Sequence, residues 1–275
     1  MATTNGSRGD YVLGYTSAEY ERLNLQAQAW GPVTSQAIAR TELSSGMSTL
    51  DIGCGTGVAM QLLGQVVGPN GSVTGVDIDH RLGSYTIERL RSQGPDIYRV
   101  VEADFMSVDD LGGESSFDLV FARLLLFHLP NPALALSRMW NWVKPGGTLL
   151  ILDYDLTSQR TFSGFSDVDK ALKLVREIFA ASGKDVEIGS RMPEHFESSG
   201  IGTPDACEVH GMVSKSTGGG AMVRQTLKSL RQTAISCGIA DGAALDDLDK
   251  TLSELPAKGF ARWPDLVATR KRKAK

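Results

Sequence analysis

The chain lacks most of what would place it in several large protein classes. Its 275 residues include only three cysteines, Cys54, Cys207 and Cys237. Their spacing matches no metal-ligand pattern, and three cannot close an even disulfide framework. A structural zinc site and a disulfide scaffold are therefore excluded, and a reducing, cytoplasmic setting is expected. Positive charge is not in excess: 28 Lys and Arg face 32 Asp and Glu, for a formal charge of −4. That removes the general electrostatic drive towards nucleic acid or an anionic membrane. No apolar run can span a bilayer, since the greasiest, Leu119 to Leu129, is short and broken by Arg123. Met1 to Asp10 is polar and lacks the apolar stretch of a signal peptide; it is expected to be disordered. The tail Arg270 to Lys273 is basic and is expected to be a frayed, solubilising end. There is no repeat and no long Ser/Pro/Gly linker. With 41% apolar and 22% charged residues, the chain reads as one soluble globular domain.

What the chain does have is a glycine turn in a telling place. Thr49 to Ile52 is a short apolar strand that runs into Gly53, Gly55 and Gly57. A second apolar run, Gly71 to Asp77, ends in a carboxylate. A strand, a glycine turn, a helix and a second strand ending in an acid make a nucleotide-binding βαβ unit. The backbone there must approach a ligand closely, which a Cβ would prevent. The acid can accept both hydroxyls of a ribose.

Two cofactor classes share this plan. A dinucleotide site wants G-x-G-x-x-G with a pyrophosphate on the helix N-terminus. Here Val58 stands at the third glycine position, and Asp51 lies two residues before Gly53. A carboxylate would repel a pyrophosphate and attract an ammonium group. S-adenosylmethionine carries an ammonium and a sulfonium and no phosphate, so the turn reads as a site for that cofactor.

The rest of the chain alternates in the manner of a parallel α/β sheet with right-handed crossovers. Ser17 to about Arg40 reads as two helices broken at Gly31-Pro32. Strands are expected at Ser48–Ile52, up to Asp77, at Tyr98–Ala103, Phe117–Ala122 and Thr148–Asp153. Helices are expected at about Gly57–Val67, Leu82–Gln93 and Pro132–Val143. Beyond Asp155, helices are expected at Asp167–Ser182, Met192–Ser199, Gly218–Cys237 and Asp246–Leu255, with strands at Glu208–Val213 and Pro264–Thr269.

These segments resemble the class I S-adenosylmethionine-dependent methyltransferases. Leu50 to Gly57 resembles their motif I, Val76 to Asp79 the second, Val101 to Phe105 the third and Phe117 to Arg123 the fourth. Leu126 to Pro132 resembles the LHHLPDP segment, and Trp142 to Gly147 the turn before strand five. Residues 45 to 155 are covered in the right order. Tyr11 to Gly14 and Glu19 to Gln26 resemble the bacterial small-molecule, ubiquinone/menaquinone-methyltransferase-like branch.

The resemblance implies a Rossmann-like, doubly wound α/β fold. Its seven-stranded sheet would be mostly parallel with an antiparallel last strand. It implies a helical lid at 1–44 and a methyltransferase domain at 45–275, with helical cover segments at about 157–200 and 218–256. The implied activity is methyl transfer to a small-molecule acceptor, in quinone-like or secondary metabolism, without metal. A nucleic-acid partner is not expected: no Asn-Pro-Pro-Tyr-like motif follows strand four, where Ala122 to Leu125 stands. No membrane span is expected, and homo-oligomerisation stays open. Competing readings are a protein that binds the cofactor without transferring methyl and a nicotinamide-dependent oxidoreductase.

By the same resemblance Gly53, Cys54 and Gly55 lie under the methionine moiety, and the backbone of Cys54 matters rather than its sulfur. Asp77 takes the ribose hydroxyls, or caps a helix. Ile78 covers the adenine, and Asp104 accepts its amino group or caps Phe105 onward. Phe105 packs on the adenine edge or in the core. Ala103 and Ala122, at strand ends, line the same crevice. Arg123 meets the cofactor's carboxylate, a substrate acid or a structural partner, because a charge in so apolar a run needs pairing. Arg22 and Gln26 share a helix face at i and i+4 and close over the cofactor with Tyr11, or form a solvated face. His128 is a candidate base or a structural histidine. Asp153, with Tyr154, meets the substrate or caps the next segment.

Overall fold

A computed structural model describes residues 17–275 apart from 93, 109, 110, 112, 163–165 and 256–258, with backbone alone at 17–19 and 216–220. The first half runs α1 (Ser17–Ala29), α2 (Gly31–Ala39), β1 (Ser48–Ile52), α3 (Val58–Val67), β2 (Ser72–Asp77), α4 (His80–Arg91), β3 (Tyr98–Glu102), β4 (Phe117–Arg123), α5 (Pro132–Trp142) and β5 (Val143–Asp155). The second runs β6 (Arg160–Thr161), α6 (Ser166–Ala181), α7 (Met192–Ser198), β7 (Ala206–His210), β8 (Val213–Lys215), α8 (Ser216–Ser236), α9 (Gly242–Glu254), β9 (Phe260–Arg262) and β10 (Asp265–Arg272).

The chain divides into two compact units that interleave along the sequence. One holds Leu23–Asp153, Gly189–Glu208 and Val267–Lys275, and contains most of the large sheet. The other holds Tyr154–Ile188 and Val209–Leu266, together with the chain up to Arg22.

The sheet order is β3-β2-β1-β4-β5-β10-β7, mostly parallel with one antiparallel strand, a Rossmann-like arrangement. Its central strands are apolar almost without interruption because helices cover both faces. Leu119 through Ala122 in β4 and Leu149 through Leu152 in β5 are all buried. The register sets the site. Ile52 pairs with Val76 and with Ala122, Asp77 with Glu102, and Arg123 with Leu152. The carboxyl ends of five strands therefore finish level at one edge of the sheet, where such folds bind ligands.

The basic tail is a correction. Arg270 to Arg272 complete β10, inside the sheet rather than frayed from it. Arg270 pairs with Glu208 at 3.1 Å, the Arg272 amide donates to Asp205 at 2.7 Å, and Arg272 also pairs with Glu42. Lys273 donates to the carbonyls of Trp140 and Val143 at 3.0 and 2.9 Å. Each charge is held by a partner remote in sequence, so the local run of like charge said nothing about order.

In the second unit α6 packs on α8, and α8 on α9. The apolar face of α6, with Val168, Leu172, Val175 and Phe179 buried, has the expected helical spacing. A small antiparallel sheet, order β6-β9-β8, was not anticipated. The strand expected at Glu208–Val213 is two, β7 and β8, with Gly211 and Met212 between them.

Candidate functional site

The site is built on the loop after β1. Gly53 has φ +70° and Gly55 φ +51°, the left-handed region that side chains with a Cβ rarely enter. The amides of Gly53 and Cys54 both donate to the Val76 carbonyl, at 2.8 and 3.0 Å, stitching the loop to β2. A Cβ built on Gly55 would meet nothing within 4 Å, so the backbone there faces open space on the ligand side. A Cβ on Gly57 would come 2.3 Å from Thr86 Cγ2, so this third glycine serves close helix packing. Cys54 is buried, and its Sγ packs where Gly75 leaves room.

Asp77 does more than end β2. Its Oδ2 accepts the Gly55 amide at 2.7 Å and its Oδ1 the Asp79 amide at 2.9 Å. Burial pushes the Asp77 carboxyl up, against the opposing pull of those amides. The cap of α4 is Asp79, whose Oδ1 accepts the Arg81 amide at 3.1 Å, so Asp77 is not the helix cap. Ile78, beside it, is 41% exposed. The Ala103 amide donates to the Asp77 carbonyl at 2.9 Å, which brings Ala103 and Asp104 to the same edge. One Asp104 oxygen accepts the Met106 amide at 2.9 Å, a local turn contact. Phe105 is buried in the core, and its carbonyl accepts from Arg138 Nε at 2.7 Å.

Asp51 is 1% exposed, and its Oδ2 has no hydrogen-bond partner among the described residues. Burial raises its pKa from 3.8 to about 7; Arg123 pulls it down and Asp77 adds to the rise. A buried carboxylate oxygen without a donor is costly unless a ligand supplies one. Arg123 Nη1 donates to Thr34 Oγ1 at 2.8 Å, bridging β4 to α2. Ala122 before it is fully buried. Leu124 after it sits at φ +56°, a strained backbone position for a side chain with a Cβ. Leu125 then lies against Gly53.

His128 closes a single 3-10 turn, Leu126–His128. Asp153 is fully buried, and its Oδ2 accepts the Phe127 amide at 3.2 Å. This carboxylate holds the turn that carries His128. Arg22 is only 4% exposed, so it is not a solvated helix face; Gln26 follows it by one turn along α1, half-buried. Tyr11 lies outside the described residues.

Two positions had no signal in the sequence. Thr86, fully buried on α4, donates to the Gly55 carbonyl at 2.8 Å, and Arg89 Nη2 to the Thr56 carbonyl at 2.9 Å. The glycine turn is therefore held at Gly55 from both sides, its N–H by Asp77 and its C=O by Thr86. An open backbone cradle, a tethered acid for hydroxyls and a buried acid lacking a donor fit a nucleoside that also carries a cationic amine.

The comparisons with known proteins agree. A family described as "Methyltransferase domain" matches residues 43–198. The demethylmenaquinone methyltransferase of Anoxybacillus flavithermus is 29% identical over 170 residues, which cover 60% of this chain and 68% of that protein. Among solved structures, a putative methyltransferase from Bacillus halodurans superposes with a TM-score of 0.60 at 14% identity, covering 88% of this chain and 99% of its own. A phosphoethanolamine N-methyltransferase 2 from Haemonchus contortus, solved with phosphomonomethylethanolamine and S-adenosylhomocysteine, gives 0.55 at 18% identity, over 94% of this chain and 58% of its own.

Proposed function

The chain belongs to the methyltransferase-domain family of S-adenosylmethionine-dependent enzymes, and from that premise we propose that it methylates a small organic acceptor of the quinone or secondary-metabolite kind. When bound, S-adenosylmethionine supplies an electrophilic methyl carbon on a sulfonium. The observation that carries the reading is Asp51: a buried oxygen without a donor among the described residues, on the strand that leads into a turn where Gly55 has open space at its Cβ position.

In this reading Asp51 takes the cofactor's ammonium, and Arg123 its carboxylate. Asp77 takes the ribose hydroxyls, with Gly53, Cys54 and Gly55 giving backbone contact. Ile78, Ala103, Asp104, Phe105 and Ala122 surround the adenine end. Gln26 contributes from α1. His128 receives the proton from the acceptor's nucleophile, and Asp153 positions it through the Phe127 amide. The small-molecule assignment draws support from the quinone-directed relative and from the absence of any overall positive charge.

The test is turnover. Purified protein with methyl-labelled S-adenosylmethionine and a panel of hydroquinones, phenols and amines is expected to release S-adenosylhomocysteine and label one acceptor class. Tight cofactor binding with no transfer to any acceptor would favour a non-methylating role. Binding of a nicotinamide dinucleotide in place of S-adenosylmethionine would overturn the cofactor site itself.

A further inference from the structure

The small sheet of the second unit has an unusual outer face. β9 lies between β6 and β8, with Arg160 opposite Arg262, Val213 opposite Arg262, and Lys215 opposite Phe260. The Phe162 amide donates to the Phe260 carbonyl at 2.9 Å, which carries the register on to a Phe162–Phe260 pair. Side chains alternate across a strand. Arg160, Phe162, Phe260, Arg262, Val213 and Lys215 therefore share one face, and Thr161, Ala261 and Ser214 the other. Burial follows the same alternation. Ala261 is 3% exposed, whereas Phe162 and Phe260 are each 51% exposed and Val213 is 55% exposed.

An antiparallel sheet with one solvated face normally turns polar residues outward. Here two cross-strand phenylalanines and a valine point out, and three cations frame them. The Arg160 guanidinium lies 5.2 Å from the centre of the Phe162 ring. Arg262 is held at 2.8 Å by Asp265, itself 8% exposed. Lys215 is exposed. Arg262 is thus offset by Asp265, and exposed Asp169 accepts from Thr161 beside β6, so the positive charge of this aromatic face comes from Arg160 and Lys215.

We propose that this face docks on the surface of an anionic lipid bilayer. Rings and aliphatic groups at the centre suit the boundary between headgroups and acyl chains, and the surrounding cations suit the headgroup charge. Among the described residues no helix is long and apolar enough to cross a membrane, so the contact lies in the interface plane. A second copy of the chain is a poorer occupant. A two-fold contact through this face would bring two sets of Arg160, Arg262 and Lys215 into one interface, with like charges close together. Single-stranded nucleic acid could stack on the two rings, but Val213 offers nothing to a base. The inference holds whatever the methyl acceptor proves to be.

Full-length protein is sedimented with vesicles of phosphatidylglycerol and, separately, of phosphatidylcholine. It is expected to pellet with the first at low salt, to be released by high salt, and to stay in solution with the second. The double variant Arg160→Gln/Lys215→Gln should lose about 25-fold in partition, at about fivefold per cation. Phe162→Ser/Phe260→Ser should lose about tenfold or more, with an unchanged circular dichroism spectrum. Lys173→Gln, at a side chain 72% exposed on α6, should bind as the parent does. A parent protein that ignores phosphatidylglycerol overturns the proposal, as do face variants that pellet as well as the parent. Binding of poly(U), or a concentration-dependent dimer, that is abolished by these variants while vesicles are ignored also overturns it and gives the face to that other partner.

Discussion

The Gly55 amide donates to Asp77 Oδ2 at 2.7 Å, so the acid that ends β2 also fixes the glycine turn after β1. Replacing Asp77 therefore touches two things. Asp77→Asn keeps a carbonyl oxygen for only one of the two amides, Gly55 or Asp79, and loses the charge offered to the ribose; cofactor affinity should fall by about 1.5–3 kcal/mol, with a smaller loss of Tm than Asp77→Ala shows. Asp77→Ala should weaken binding at least as much and lower Tm further, because the Gly55 N–H loses its acceptor. Calorimetry and thermal melts of both variants check this, and equal dissociation constants for parent and variants would place the ribose elsewhere.

Asp51 makes binding depend on pH. Its pKa of about 7 means that near neutrality the free protein is a mixture of protonated and ionised forms. An ammonium group selects the ionised form. S-adenosylmethionine affinity should therefore peak between the Asp51 pKa and that of the cofactor's own α-amine, roughly 8, and fall about tenfold per pH unit below the Asp51 pKa, with proton release on binding. Stability should run the other way. The folded state holds this proton more tightly than the unfolded chain does, so Asp51 subtracts stability as pH rises from 3.8 through about 7. Asp51→Asn should thus raise the Tm of the ligand-free protein at pH 8 relative to the parent while weakening binding. Affinity that does not vary between pH 5 and 8 would remove Asp51 from the ligand.

How much of this was legible in the sequence depends on how local the signal was. β1 was readable to its last residue because a short apolar run stops at a glycine turn, and both features lie within ten residues. The end of β2 was readable from the acid that closes its apolar run, and those of β3 and β4 to within one residue, since Ala103 and Ala122 were expected where Glu102 and Arg123 stand. β6, β8 and β9 were not, since strands of two or three residues are too short to display a period of two. The end of β10 was misread because its charges find Glu208 and Glu42, and its Arg272 amide finds Asp205, far along the chain. Thr86 and Arg89 stayed hidden because their partners are backbone carbonyls, which no side-chain pattern marks.

Arg123, on the strand that pairs with β1, lowers the Asp51 pKa, so removing its charge should move the pH profile. Arg123→Gln removes the cation, and its shorter side chain also gives up the bond that Nη1 makes to Thr34. The midpoint of the affinity–pH curve should shift to higher pH, and affinity at pH 7 should fall by more than the same variant loses at pH 9. A parallel loss at both pH values would mean that Arg123 acts on the ligand alone.

Thr86 offers a test of turn geometry without touching the ligand face. Its buried hydroxyl donates to the Gly55 carbonyl, and valine has nearly its shape. Thr86→Val should cost about 1 kcal/mol in cofactor affinity, roughly fivefold in Kd, through a looser Gly55 peptide. Thr86→Ser, which keeps the hydroxyl, should bind close to the parent; a Thr86→Ser variant as weak as Thr86→Val would show that the packing rather than the hydroxyl matters.

The last prediction separates His128 from the carboxylate that holds its turn. Asp153 is fully buried and accepts the Phe127 amide, so its part is positional. Asp153→Asn retains an oxygen for that amide and should keep most of kcat. Asp153→Ala leaves the amide without its acceptor and a gap in the interior, and should lower Tm and kcat together. If His128 takes the acceptor's proton, His128→Gln should lower kcat by about 10²–10⁴-fold with the fold and cofactor Kd unchanged, and should erase the acidic limb of the kcat profile. That limb is the decisive reading. A His128→Gln variant slowed equally at every pH would leave His128 a structural part of the turn, and proton transfer would then pass directly to solvent.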